Sequence, residues 1–183
     1  MKSIIVTSIA ASSLFAALVL AQPRAQPPSY TVTDLGFVGI GQPYFITNNS
    51  IVSGAATAPD GTDHAVLWYK GLKTDIGTPG LGGLNSVAFG ANERGQAVGE
   101  AETSIPDPNG EDFCGFTAYG LFPSATTCLP FLWQNGVMTK LPTLGGANGH
   151  ANMINNRGEV VGLAENNTKD PGCPVSQFEP VIC

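Results

Sequence analysis

The sequence predicts an all-β chain built from repeated four-stranded antiparallel units, a partial β-propeller of about three blades. Three observations predict it. A nonapeptide recurs as Ile46 to Gly54 (ITNNSIVSG), Ala91 to Gly99 (ANERGQAVG) and Ile154 to Gly162 (INNRGEVVG). A tetrapeptide keeps step with it: Thr33 to Gly36 (TDLG), Thr74 to Gly77 (TDIG) and Thr139 to Pro142 (TKLP). The composition, with 23 Gly, 14 Pro and only 12% charged residues, suits a turn-rich β protein. Self-similarity at roughly 40–50 residues means stacked supersecondary units, because one such unit cannot bury its own apolar face.

From the N-terminus, residues 1–21 read as a secretory signal. Lys2 supplies the charged n-region, Ile4 to Leu20 the apolar h-region, and Val19-Leu20-Ala21 a small-residue cleavage site. Residues 22–29 (QPRAQPPS) form a Pro-rich leader with no core of its own. The β-repeat domain then spans 30–183, in units of approximately 33–73, 74–138 and an incomplete 139–183. The formal net charge is −6, one unit more negative once Lys2 is removed. An acidic, charge-poor chain excludes nucleic acid as a partner and argues against anionic membrane surfaces. No stable membrane insertion is expected after signal cleavage, and the expected location is secreted, periplasmic or extracellular.

Within a unit, the first hairpin is built on Asn92-Glu93-Arg94-Gly95 and again on Asn155-Asn156-Arg157-Gly158. Asn followed three residues later by Gly suits a type I turn with Gly in the left-handed position. Ser50 stands at that glycine's place in the first unit, so its turn is expected to differ or to be strained. A second hairpin pairs His64 to Tyr69 with Leu72 to Ile76 around Lys70-Gly71, and Pro130 to Gln134 with Val137 to Leu141 around Asn135-Gly136. Ala65-Val66-Leu67-Trp68 and Val160-Val161 are apolar at consecutive positions, which implies strands covered on both faces. Tyr30 to Gly36 is expected to be the second strand of a hairpin whose first strand is missing, and after Cys183 the chain stops where an FLW strand is due. The expectation is a fragment of a longer propeller.

The phrases TDLG and TDIG, LGG, INNRGEVVG, HAVLW and FLWQNGVMT resemble the HAF repeat, a bacterial extracellular repeat, over nearly all of Tyr30 to Glu165. His64-Ala65-Val66 and Leu129-Pro130-Phe131 replace the tripeptide that names it. The resemblance implies export and a β-rich repeat architecture of the propeller kind, and brings no catalytic residues with it.

The second unit carries an insertion between Glu102 and Cys128, and the third opens a comparable segment from Glu165 to Cys183. In repeat proteins such insertions become loops on one face, often the binding face. The candidate binding loop comprises Asp107, Asn109, Glu111, Asp112, Phe113, Phe116 and Tyr119. Cysteines in an exported chain oxidise. Cys114 with Cys128 and Cys173 with Cys183 each sit inside one insertion, so local pairing is expected, each bridge stabilising by about 3 kcal/mol. Their spacing does not suit zinc.

No catalytic, cofactor-binding or metal residues are assigned. His64, at a strand start, and His150, in what reads as a Gly-Asn-rich turn, are taken as structural. No G-x-S-x-G elbow is present. The glycine runs 77–83 and 144–149 lack the Lys-Ser/Thr of a phosphate loop and read as tight turns. The acidic turns Asp60 to Asp63 and Asp107 to Asp112 read as ordinary solvated turns, with calcium as the alternative at either. The second departs from the EF-hand because Asp112 stands where that loop needs Gly. Glu100, Glu102 and Glu165 follow the same strand, and such repetition points to architecture rather than to a catalytic pair. The expected function is a non-enzymatic extracellular binding or scaffold module, its partner unknown but of the class of a glycan or a cell-surface protein. The alternative is a propeller hydrolase or lyase acting on extracellular polysaccharide.

Overall fold

A computed structural model describes residues 27–35, 42–77, 80–116 and 125–168. The chain divides into two compact units, Met1–Thr33 and Asp34–Cys183. The described part of the first, 27–33, forms neither helix nor strand, and the signal expected over 1–21 lies outside the described residues. The strand expected from Tyr30 to Gly36 does not form in its described part, Tyr30 to Leu35, which belongs to no sheet among the described residues.

The second unit is all-β and antiparallel, with no α-helix among the described residues. β1 (Gln42–Ile46), β2 (Val52–Thr57), β3 (Asp63–Tyr69) and β4 (Leu72–Asp75) form one four-stranded sheet in sequence order. β5 (Gly82–Ala91), β6 (Ala97–Pro106), β7 (Thr126–Gln134) and β8 (Val137–Lys140) form a second in the same order. β9 (Gly145–Ile154) and β10 (Val160–Asn166) form a third, two-stranded sheet. Among the described residues no helix is long and apolar enough to cross a membrane.

Each nonapeptide makes the hairpin between the first two strands of its sheet. Gly95 and Gly158 take φ of 76° and 89°, the left-handed conformation the turn requires. Ser50 adopts the same conformation, φ 67°, and closes the same pair of backbone bonds, Ser50 N to Thr47 O and Thr47 N to Ile51 O. The first turn is therefore strained rather than different, since a Cβ in this region costs on the order of 1 kcal/mol. The outer hairpins turn on Lys70-Gly71 and Asn135-Gly136, all four residues at positive φ, as a two-residue type I′ turn demands.

The three turns also join one another. Asn49 Nδ2 donates to Glu93 O at 2.9 Å, and Asn92 Nδ2 donates to Asn155 O at 2.9 Å. Asn156 Oδ1 accepts from Glu93 N at 3.0 Å.

The core lies between successive sheets. Ile51, Ala65, Leu67 and Ile76 of the first pack with Ala88, Ala97, Ala101 and Phe131 of the second. Val98 of the second packs with Ala151 and Ile154 of the third. Ala65 to Trp68 are all buried, so the consecutive apolar run is covered on both faces as expected. Val160-Val161 departs from the expectation: Val161 is 63% exposed, because no described sheet lies over that side of β10.

Candidate functional site

One acidic position recurs, as Glu102 and Glu165, and both residues fasten strands. Glu102 Oε2 accepts from Asn85 N at 3.1 Å and from Asn85 Nδ2 at 2.9 Å. Glu165 Oε2 accepts from Ala147 N at 3.1 Å and from Asn148 N at 2.9 Å. The two asparagines then reach the preceding sheet or its edge: Asn85 Oδ1 accepts from Asp63 N at 3.0 Å, and Asn148 Oδ1 from Cys128 N at 2.9 Å. Each Asn–Glu pair thus satisfies amides of two sheets, buried at Asn85 and part-buried at Ala147 and Asn148. Burial pushes the Glu102 carboxyl above its ordinary range, and the bonds from Asn85 oppose it. The glycine run 77–83 turns at Gly77 and Gly80, as expected, before Gly82 and Gly83 open β5, whereas Gly145 to Gly149 lie within β9 rather than in a turn. A Cβ on Gly83 would overlap Glu102, and one on Gly146 would overlap Glu165, so these residues are small to let the carboxylates lie across the strand.

Three positions that break the repeat converge. Glu100 stands where the other units have Ala55 and Leu163, His150 where the second has Val87, and Cys128 where the first has Asp63. His150 lies inside β9 rather than in a turn, its glycine neighbours being needed where β10 runs close, as at Gly149 against Leu163 O. Glu100 is 5% exposed, with Oε2 3.4 Å from His150 Nδ1. Burial raises its pKa, and the imidazole works against the rise. The His150 ring meets Phe89 at 5.8 Å and Phe113 at 6.0 Å between centroids. A Glu100 carboxylate oxygen and the sulfurs of Cys114 and Cys128 lie within 4.8 Å of one another, but the sulfurs are bonded to each other and offer no thiolate to a metal. The arrangement can hold a proton; enclosed as it is, it gives Glu100 little access to a substrate.

The residues of the expected binding loop divide by burial. Asp107 is buried, its Oδ1 accepting from Asn109 N at 2.8 Å and Glu111 N at 3.0 Å and its Oδ2 from Asn148 Nδ2 at 2.8 Å. The acidic turn at Asp60 is similarly engaged, Oδ1 taking Thr62 N and Oγ1. Phe113 and Phe116 are buried, Phe116 against Ala55 and Val87. Asn109 is exposed at the tip, and Glu111 and Asp112 are half-buried. Burial and the neighbouring Glu165 carboxyl push Glu111 up to about 7. Cys114 and Cys128 form a disulfide. Tyr119, Cys173 and Cys183 lie outside the described residues. His64 is held between Asp75 Oδ2, 2.7 Å from Nδ1, and Thr62 Oγ1, 3.0 Å from Nε2.

The reading from sequence missed a third set. Near the turn of each inner hairpin the register skips one residue of the first strand: Tyr44 between Pro43 and Phe45, Phe89 between Ala88 and Gly90, and Asn152 between Ala151 and Met153. Such a bulge re-aims its side chain. The signal was present in the nonapeptide's last letter. A Cβ on Gly54, Gly99 or Gly162 would overlap a carbonyl oxygen of the bulged strand, at Gln42, Val87 and His150 respectively. The chain matches no family model, no curated protein and no solved structure.

Proposed function

We propose that the chain is an exported, non-enzymatic binding or scaffold module, built as a partial β-propeller of the HAF-repeat kind. One observation carries the choice of binding over catalysis: Glu102 and Glu165, the acids that recur, each accept two N–H bonds from the adjacent strand. Carboxylates engaged in this way fasten strands and are not held free for proton transfer to a substrate. Glu100, the unmatched acid, is enclosed. Two four-stranded sheets in meander order, followed by a two-stranded sheet that repeats their inner hairpin, support the propeller reading. Export is supported by the apolar stretch after Lys2 and by the Cys114–Cys128 disulfide. The exposed tip at Asn109 belongs to the binding face, for a glycan or a cell-surface protein.

Tagged protein applied to a glycan microarray and to intact bacterial cells, with the same preparation assayed for reducing ends released from soluble polysaccharides, tests the proposal. Saturable binding without product is the expected result. Release of product would overturn it in favour of the hydrolase or lyase.

A further inference from the structure

We propose that Glu100, Cys114, Cys128 and His150 are a zinc site when the two cysteines are reduced, so that disulfide and metal are alternative states of one cluster. The proposal goes beyond the binding-module reading and does not depend on it. All four residues stand outside the repeat: Glu100, Cys128 and His150 replace the residues of the other units, and Cys114 belongs to the insertion. The fold brings them together from β6, β7, β9 and the inserted segment. A Glu100 carboxylate oxygen and both sulfurs lie within 4.8 Å of one another, and His150 Nδ1 lies 3.4 Å from Glu100 Oε2. The spacing in sequence hides such a site, because its ligands come from three strands and a loop rather than from one short motif.

The donor set selects the metal. Two thiolates, one imidazole nitrogen and one carboxylate oxygen are four ligands of the kind that zinc takes in a tetrahedron, at about 2.0–2.3 Å. Ligand atoms around such an ion stand roughly 3.3–3.8 Å apart, a spacing that Glu100 and His150 already have. Only the sulfurs must part. Cys128 is fully buried on β7 and fixed, whereas Cys114 is half-buried in the insertion and is the one that gives way. The His150 side chain is 17% exposed and opens the cluster to an incoming ion. Asp112 and Glu102 stand near enough to act on Glu100, so the surroundings are acidic and favour a cation.

Reduction by a dithiol adds two electrons and two protons across the Cys114–Cys128 bond and leaves the reductant as its own disulfide. Zinc then displaces the two thiol protons to solvent. The oxidised form that export produces offers no thiolate, so the metal belongs to the chain before oxidation.

The test uses the full chain carrying Cys173→Ser and Cys183→Ser, so that only two thiols remain. Oxidised and phosphine-reduced protein are titrated with Co²⁺, read by its thiolate charge-transfer and tetrahedral d–d absorption, and then with Zn²⁺ in competition. One equivalent is expected to bind the reduced protein and none the oxidised. His150→Ala and Glu100→Gln should each weaken binding by about tenfold or more, and Cys128→Ser should abolish the tetrahedral spectrum. If reduction unfolds the chain, Zn²⁺ is expected to restore its circular dichroism and raise its unfolding midpoint; failure to do either overturns the proposal. Reduced, folded protein that takes no cobalt overturns it too, as does a loss of less than about tenfold in both His150→Ala and Glu100→Gln.

Discussion

Glu100 on β6 and His150 on β9 face each other across two sheets, 3.4 Å between Oε2 and Nδ1, at two positions where the internal repeat is broken. Removing one partner of a buried pair leaves the other uncompensated. His150→Ala is therefore expected to destabilise the fold by about 2 kcal/mol, below the range for fully buried pairs because the imidazole reaches solvent. Urea unfolding at neutral pH measures it, and a loss confined to a few tenths would show that the pair is incidental.

Glu111 gives the fold a pH dependence. Its folded pKa, about 7, lies above the ordinary carboxylate value, so between that value and 7 the folded state holds more protons than the unfolded one. Stability from this group is complete in acid and is lost as pH rises toward 7. Glu111→Gln removes the loss and should be more stable than the wild type at pH 8 by on the order of 1 kcal/mol, with little difference at pH 4.5. Paired urea midpoints at the two pH values provide the check.

The first turn contains a strained residue that can be relieved. Ser50, at φ 67°, occupies the position that Gly95 and Gly158 fill in the other units. Ser50→Gly should stabilise by about 1 kcal/mol and Gly95→Ala should destabilise by a similar amount. Thermal unfolding of the two variants should move in opposite directions.

Cys114 and Cys128 are separated by 14 residues. Replacing both by Ser is expected to cost about 3 kcal/mol by loop-closure entropy. Peptide mapping without reduction should recover the two cysteines in one linked species, and a midpoint unchanged by the double replacement would contradict a structural role.

Much of the fold was legible in local chemistry. Asn135-Gly136 and Lys70-Gly71 were read as tight hairpin turns because φ > 0 at both positions favours such residues, and the short span from Cys114 to Cys128 suggested a local bridge. Positions decided by a neighbouring strand were not legible. His150 looked like turn sequence because its glycines serve the approach of β10, a contact distant in sequence. Val161 looked doubly covered because two apolar residues stand in succession, but the third sheet that covers its counterpart Val98 has no described equivalent beyond β10. Phe113 and Phe116 looked available to a ligand, yet the disulfide folds their segment inward onto β5 and β9. The bulges were hidden because period-two reasoning assumes an unbroken strand register.

The central claim is that the recurring acids hold strands together and do no chemistry. Its most direct test measures unfolding and polysaccharide turnover together in the wild type, Glu102→Ala and Glu165→Ala. Each replacement orphans two N–H donors, and a loss of about 2 kcal/mol in stability is predicted, with no reducing ends released by any of the three proteins. Turnover by the wild type that either replacement abolishes while leaving the unfolding midpoint unchanged would contradict the claim.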